Sequence, residues 1–308
     1  MTFVENELRR TAGDLFSGRS GPLTVTQLVE LGWDDLVREE PALAVGTMAE
    51  AQGRHLGTSR LVELQMGRRL GIDPAAATLG LPSKGTTVTG SPADVILLPD
   101  AAEAPAVVVP VRADDGVRLC PLAPATLVSA PVTGVDPDAA WTRVSGAFDA
   151  DAGTAVAPDA WFAAVAAGRL VLTHELIGVG QAVLDLAVRH VTDRIQFGVA
   201  LGTFQSVQHR LADVHVDLEA ARAIARTAWI DGDPNVAAAA HLAARRAVET
   251  ATQHCHQVMG AIGCTWEHDM HRFIRRGVLL GILLTADDPT WAGLVEASRS
   301  PARAELFA

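Results

Sequence analysis

Lysine is almost missing from this chain: Lys84 is the only one among its 25 basic residues. Acidic residues outnumber basic ones 36 to 25, giving a net charge of −11. That balance argues against a nucleic acid or an anionic membrane as partner, since both recruit clustered positive charge. The arginine bias reads as codon usage rather than mechanism. Cysteine is scarce, with Cys120, Cys255 and Cys264 the only three. No disulfide framework follows from them, and a reducing, cytoplasmic compartment fits. The first ten residues are charged and contain no apolar signal core. The strongest apolar runs, Val95–Leu98 and Val278–Leu284, fall far short of the about 20 residues that a bilayer demands. There is no Gly-x-Gly-x-x-Gly behind a strand, no phosphate-binding glycine-rich loop and no Gly-x-Ser-x-Gly elbow. These absences argue against a nicotinamide enzyme, a nucleotide hydrolase and an α/β hydrolase. Internal repeats and low-complexity tracts are missing too.

What remains is an ordinary globular composition. The chain has 308 residues, 49% apolar and 20% charged, enough for one large or two ordinary domains with real cores. Residues 1 to about 72 carry apolar side chains at helical spacing, over Leu23–Val37 and Ala42–Leu70, with breaks near Gly32 and Pro41. Residues 73–90 are rich in Pro, Gly, Ser and Thr and read as a loop. Between 93 and 146, short runs of Val, Ile, Leu and Thr suggest a small antiparallel sheet: Val95–Leu98, Ala106–Val111, Val117–Leu122 and Thr126–Val132. Residues 147–159 read as an Ala/Asp/Gly linker. From Trp161 onward the pattern is helical. In Thr203–Ile230, Val207, Leu211, Val214, Leu218, Ala221, Ala225 and Ala228 recur at steps of three and four. Asn235–Gly260 and His268–Leu284 would be further helices. The expected class is α+β, mainly α: a helical part over 1–90, a small β domain over 91–150 and a four-helix bundle over 151–308.

Two stretches of the helical part carry chemistry. One begins Arg194-Ile-Gln-Phe-Gly and runs through Gln205; the other, roughly fifty residues on, is Gln257-Val-Met-Gly-Ala-Ile-Gly263. Arg194 offers a planar cationic fork suited to a pyrophosphate. Phe197 can lie against an adenine or ribose face. Gln205 and Gln257 can both donate and accept, and Gly260 and Gly263 let backbone approach a bulky ligand. The bland alternative stays open: Arg194 capping a helix C-terminus, the rest ordinary core and surface.

Together the two stretches resemble the flavin-contacting segments in the C-terminal domain of the acyl-CoA dehydrogenase family. Gly53-Arg-His-Leu-Gly-Thr-Ser-Arg-Leu, Leu28–Asp35, Val88–Leu98 and Thr265–Arg276 are similar to further family stretches. The resemblance is strong over 160–280, about 40% of the chain, and faint before that. It implies that Arg194, Phe197, Gln205, Gln257, Gly260 and Ala261 touch the ADP half of an FAD held mainly by a neighbouring subunit. Ala261 departs from the family's Gly-Gly pair, so its methyl group stands where the cofactor would approach. Glu267 and Arg272, in the last of these stretches, are expected to pair.

Other parts of the family pattern are missing. The Thr/Ser-rich segment with Trp and Glu-Pro that binds the isoalloxazine ring is replaced by residues 71–92, too short and without Trp. The family's catalytic glutamate falls at one of two places, which align here with Leu284 and with Gly168 ahead of Arg169-Leu-Val. Neither is acidic, so abstraction of a proton alpha to a thioester has no base there. Glu175, seven residues after Gly168 and two turns along the same helix face, is the one acidic alternative. A carboxylate in so apolar a stretch is either paired, with Arg169 or His174, or functional. His254, Cys255, His256, His268 and His271 cluster in sequence without metal-ligand spacing, and no metal is expected.

The resemblance therefore implies a shortened subunit of a heteromeric, FAD-dependent acyl-CoA dehydrogenase. A full-length homologue would supply the flavin pocket and base in an α2β2 tetramer. The complex would take an acyl-CoA to its 2,3-enoyl product and pass electrons to an electron-transfer flavoprotein. Heteromers of this kind act in actinobacterial steroid side-chain degradation, so a steroid-CoA thioester is the expected substrate. The rival expectations are a self-sufficient homo-oligomer with Glu175 as base and a non-catalytic scaffold subunit without flavin contact.

Overall fold

The computed structural model describes residues 3–83, 85–99 and 104–285. Its first third is a run of five helices: α1 (Phe3–Phe16), α2 (Val25–Glu30), α3 (Trp33–Glu39), α4 (Pro41–Arg54) and α5 (Leu61–Leu70). Local chemistry sets their ends. Thr24 and Gln27 close a capping box over the first turn of α2. Gly32, at φ +69°, takes the left-handed turn that separates α2 from α3. Pro41 opens α4, where its missing N–H costs nothing.

The middle third is β. Strands β1 (Thr78–Leu79), β2 (Leu81–Pro82), β3 (Ala93–Leu97), β4 (Val107–Ala113), β5 (Gly116–Pro121), β6 (Val128–Pro131), β7 (Thr142–Gly146) and β8 (Thr154–Val156) form two four-stranded sheets. Their orders are β1-β4-β5-β8 and β2-β3-β7-β6. All pairings are antiparallel except β1 with β4. Val95, Leu97, Val109, Val111, Cys120, Leu122 and Val144 fill a separate β core. The four expected runs all lie on strands. The structure corrects the rest: there are two sheets, not one, and β1 and β2 lie in the expected 73–90 loop. β8 lies in the expected linker. β7 was illegible because its sequence, Thr-Arg-Val-Ser-Gly, presents a single large apolar side chain.

The last third is a bundle built on α6 (Pro158–Asp193). A hairpin, β9 (Ile195–Gln196) and β10 (Val199–Ala200), leads to α7 (Gln205–Asp231), α8 (Pro234–Met259) and α9 (Met270–Ile282). By length and composition α6 is apolar enough to cross a bilayer, with a mean hydropathy of 1.4 over its best window, but 83% of that window is buried inside the molecule. Helices α4, α5, α7, α8 and α9 all pack on it. A helix apolar on every side is what a central core position calls for.

Glycine decides how closely α4 and α6 cross. A Cβ on Gly53 would overlap the carbonyl oxygen of Glu175, and one on Gly178 would overlap that of Glu50. Where the backbones touch, a polar network crosses the same seam. Trp229 Nε1 donates to His174 Nε2 at 3.2 Å. An indole can only donate, so that imidazole nitrogen is unprotonated and Nδ1 carries the hydrogen. His174 Nδ1 then donates to Glu50 Oε1 at 3.1 Å, and Arg222 reaches Glu50 Oε2 at 3.4 Å.

Gly178→Ala is expected to cost about 3 kcal/mol, the upper range for overpacking a closed contact. Gly21→Ala, where an added Cβ meets nothing within 4 Å, should be nearly neutral. Urea midpoints at unchanged slope measure both; equal shifts would refute the close crossing.

Candidate cofactor-contact site

The residues expected to meet a cofactor lie at one end of the bundle. Arg194 caps α6 in an extended conformation, its N–H bonded to His190 O at 2.9 Å. The hairpin then turns through Phe197 and Gly198, both at positive φ (54° and 83°). Phe197 is 91% exposed and meets the Phe204 ring edge-on, 6.2 Å between centroids. Gln205 is the first residue of α7.

Helix α8 runs back along α7. Thr250 Oγ1 donates to Asp217 Oδ2 at 2.8 Å, and His254 Nδ1 lies 3.1 Å from Arg210 O. The start of α7 therefore lies beside the end of α8, where Gln257, Gly260 and Ala261 reach the surface. Among the described residues, the side chains of Arg194, Gln205 and Gln257 have no hydrogen-bond or ion-pair partner. Gly260, at φ +63°, has open space where a Cβ would stand. Ala261 turns its methyl to this outer surface, not to the core. The structure brings the segments that carry these six residues to one end of the bundle.

Ile195, Phe197 and Trp266 are exposed apolar side chains. Trp266 is held between the edge of His271 (4.4 Å between centroids) and the guanidinium of Arg275 (5.4 Å). Exposed apolar area of this kind marks an interaction surface. Arg272 pairs with Asp138 and Asp269 at 3.4 Å each, not with Glu267 as the sequence suggested. The His/Cys cluster scatters. Cys255 is buried in α8, its thiol pushed up to about 12 by burial, while His256 Nε2 lies 3.0 Å from Cys264 Sγ. Among the described residues no three His, Cys, Asp or Glu side chains converge.

The two places where a base was sought turn out to be neighbours. Gly168 on α6 and Leu284 after α9 are 116 positions apart (284 − 168). Yet a Cβ on Gly168 would come 2.7 Å from Leu284 Cδ1 and 2.8 Å from Met66 Sδ. Leu284 is fully buried, and Arg169 Nε donates to its carbonyl at 3.1 Å. Apolar side chains therefore pack at both of these positions.

Glu175 is buried as well, and its partner is neither Arg169 nor His174, as the sequence suggested. Both are engaged elsewhere. Arg276 of α9 takes that role: Nη1 lies 3.6 Å from Glu175 Oε1, Nε bonds Asp136 Oδ2 at 2.5 Å, and Nη1 donates to Gly57 O at 2.8 Å. Burial pushes the Glu175 carboxyl above the usual range, against the pull of Arg276 and Gln52. The void beside it is only about 10 Å³, room for at most one water. It is a clamp between α6, α9 and the loop carrying Asp136.

Sequence reasoning missed His241 on α8. It is fully buried, and neither ring nitrogen has a well-formed hydrogen bond, the nearest backbone group being at Leu283. Burial first, then the charges of Arg169 and Arg245, hold its imidazole down to about 3. A histidine in an Ala-rich helix carries no sequence signal of this.

Comparison with known proteins gives the family and the fold. Residues 160–283 match the family model for the acyl-CoA dehydrogenase C-terminal domain. Acyl-CoA dehydrogenase IpdE2 of Mycobacterium tuberculosis is 30% identical over 291 residues, 87% of this chain and 89% of that protein. Acyl-CoA dehydrogenase FadE34 of the same organism is 34% identical over 226 residues, 68% of this chain but 28% of the relative. Among solved structures, a variant of the Tcur3481-Tcur3483 steroid ACAD superposes with a TM-score of 0.72 at 21% identity, over 97% of this chain and 98% of the other. The ChsE4-ChsE5 complex from Mycobacterium tuberculosis contains a chain that superposes at 0.68 and 17% identity, over 98% of each. At such identities the structural likeness speaks for the fold.

The buried charges set two expectations for stability. Arg276→Met, which strands Asp136 and Glu175 without their cation, is expected to cost about 3–5 kcal/mol; a loss under 1 kcal/mol in chemical denaturation would refute the clamp. His241 stays neutral in the folded chain, whereas the unfolded chain takes up its proton near pH 6.5, roughly. Its contribution is therefore intact above that pH and is lost as pH falls toward about 3. Thermal melts of His241→Phe should lose less stability between pH 6.5 and 4, about that range, than the parent does.

Proposed function

This chain belongs to the acyl-CoA dehydrogenase family, and from that premise we propose that it is the shortened subunit of a heteromeric enzyme. It completes the FAD site of a full-length homologue in an α2β2 assembly and supports 2,3-desaturation of an acyl-CoA. One observation carries the reading. The residues for the ADP half of a flavin stand exposed and unpartnered at one bundle end, while Leu284 and Met66 close the base position at Gly168.

The residues fit the part of the cofactor assigned to them. An exposed guanidinium, two free amides and an open turn at Gly260 can receive a phosphate and a nucleoside from a neighbouring chain. When bound, FAD supplies the hydride acceptor. Arg194 would hold the pyrophosphate, and Phe197, Gln205 and Gln257 would meet the adenosine half. The proton alpha to the thioester would go to a carboxylate of the partner, since neither Gly168 nor Leu284 is acidic. Electrons then pass to an electron-transfer flavoprotein.

A steroid side-chain CoA thioester is the proposed substrate. It is supported by the fold shared with the Tcur3481-Tcur3483 steroid ACAD; the two-component ChsE4-ChsE5 complex supports the heteromer. Against the homo-oligomer with Glu175 as base stands the pairing of that buried carboxyl with Arg276.

With the co-purified complex, Arg194→Ala is expected to weaken FAD retention by about 1.5–3 kcal/mol, the contribution of a charge-assisted contact. Flavin dissociation followed by fluorescence measures it. Unchanged retention would favour a scaffold subunit without flavin contact.

A further inference from the structure

The turn after α8 holds a nucleophile and a base that the proposed flavin contact does not use. Cys264 is exposed, whereas Cys120 and Cys255 are buried. A free cysteine is ordinarily among the most buried of side chains. This one faces water with its Sγ 3.0 Å from His256 Nε2.

The backbone builds that contact. Helix α8 ends at the buried Met259, and Gly260, at φ +63°, bends the chain back with its N–H bonded to the His256 carbonyl. The short turn Gly260–Cys264 then returns along the last turn of α8. Gly263 leaves room for the imidazole: a Cβ there would come 2.9 Å from His256 Cδ2 and 3.3 Å from Met259 Cβ. Thr265 closes the turn, its N–H (3.1 Å) and Oγ1 (2.9 Å) both donating to Ile262 O. The thiol therefore stands eight positions from the histidine yet against its ring. His256 Nδ1 has no hydrogen-bond partner among the described residues. It can keep the ring hydrogen and leave Nε2 to accept from the thiol. A sulfur whose proton has a base to go to is how a cysteine is activated as a nucleophile. The other two thiols lack this: burial pushes Cys255 up to about 12 and raises Cys120 as well.

We propose that Cys264, with His256 as its base, is a thiol-exchange site that takes a low-molecular-weight disulfide. As Sγ attacks one sulfur of that disulfide, its proton passes to His256 Nε2. A new S–S bond forms at Cys264 and the old one breaks. The leaving thiolate carries off the electron pair and then takes the proton from His256. Cys264 is oxidised, and half of the disulfide leaves reduced, as a free thiol. The adduct stands four positions from Gly260, at the end of the bundle proposed for flavin contact. One consequence rests on that proposal, namely that the thiolated chain no longer receives the partner's FAD until the adduct is reduced. The exchange itself does not rest on it.

The full chain, purified alone and reduced, is mixed with glutathione disulfide, and the adduct is located by peptide mass spectrometry. Cys264 should be thiolated while Cys120 and Cys255 stay free. Cys264→Ser should abolish the adduct, and His256→Asn should slow it roughly tenfold or more. His254→Asn, on the same helix but bonded towards Arg210 O, should leave the rate unchanged. A merely structural His256 predicts the opposite sign, because its loss would uncover the thiol and leave it as fast or faster. Circular dichroism checks each variant, and a His256→Asn chain that unfolds is replaced by His256→Gln read the same way. No adduct, or one that forms first on Cys120 or Cys255, overturns the proposal. An undiminished rate in His256→Asn, or an equal slowing in His254→Asn, overturns the role of the base. A chain thiolated before it is mixed with the full-length homologue should take up flavin roughly tenfold less readily, and dithiothreitol should restore uptake. Thiolation at Cys264 with flavin uptake unchanged overturns the consequence alone, while the flavin contact is judged by Arg194→Ala.

Discussion

Leu284 and Met66 closing over Gly168 is the contact on which the rest of the account turns. It makes both positions, and the volume between them, part of the core. Once that volume is apolar and dry, a charged base placed there would carry a desolvation cost with no compensating partner. The contact also anchors the end of α9 to the middle of α6, with Arg169 bonded to the Leu284 carbonyl.

Glu175 sharpens the point. A lone carboxylate in a long apolar helix looks functional by sequence. Its surroundings make it one of two carboxyls shared by one guanidinium, with Asp136 as the other. A buried charge cluster of this kind adds little net stability over apolar packing but fixes which elements meet, here α6, α9 and the loop before β7. The same logic applies at the α4–α6 seam, where two glycines and the Trp229–His174–Glu50 chain specify one crossing.

How much was legible follows from the physics of each signal. The long bundle helices stood out because their apolar spacing persists over many turns; α7 and α8 begin and end within two residues of the expected bounds. The four runs rich in Val, Ile and Leu could be placed on strands. Strands of two or three residues, such as β1, β2 and β8, offer no periodicity to detect, and β7 is half polar. The candidate cofactor-contact residues stood out only as a family pattern, since an exposed Arg, Phe or Gln carries no signal of its own. That Gly168 and Leu284 touch, and that Arg276 rather than a near neighbour serves Glu175, depend on contacts across more than 100 positions, which one sequence does not encode visibly.

The acidic surface and the exposed apolar end fit a chain that works against another protein. The most direct test is a count of flavin. The chain and a full-length homologue are co-expressed, the complex is purified, and FAD absorbance is divided by protein mass, alongside the chain purified alone and mixed with an acyl-CoA. The account predicts one FAD for every two polypeptides in the complex, and a colourless, inactive chain on its own. A yellow chain that turns over thioester unaided would contradict it.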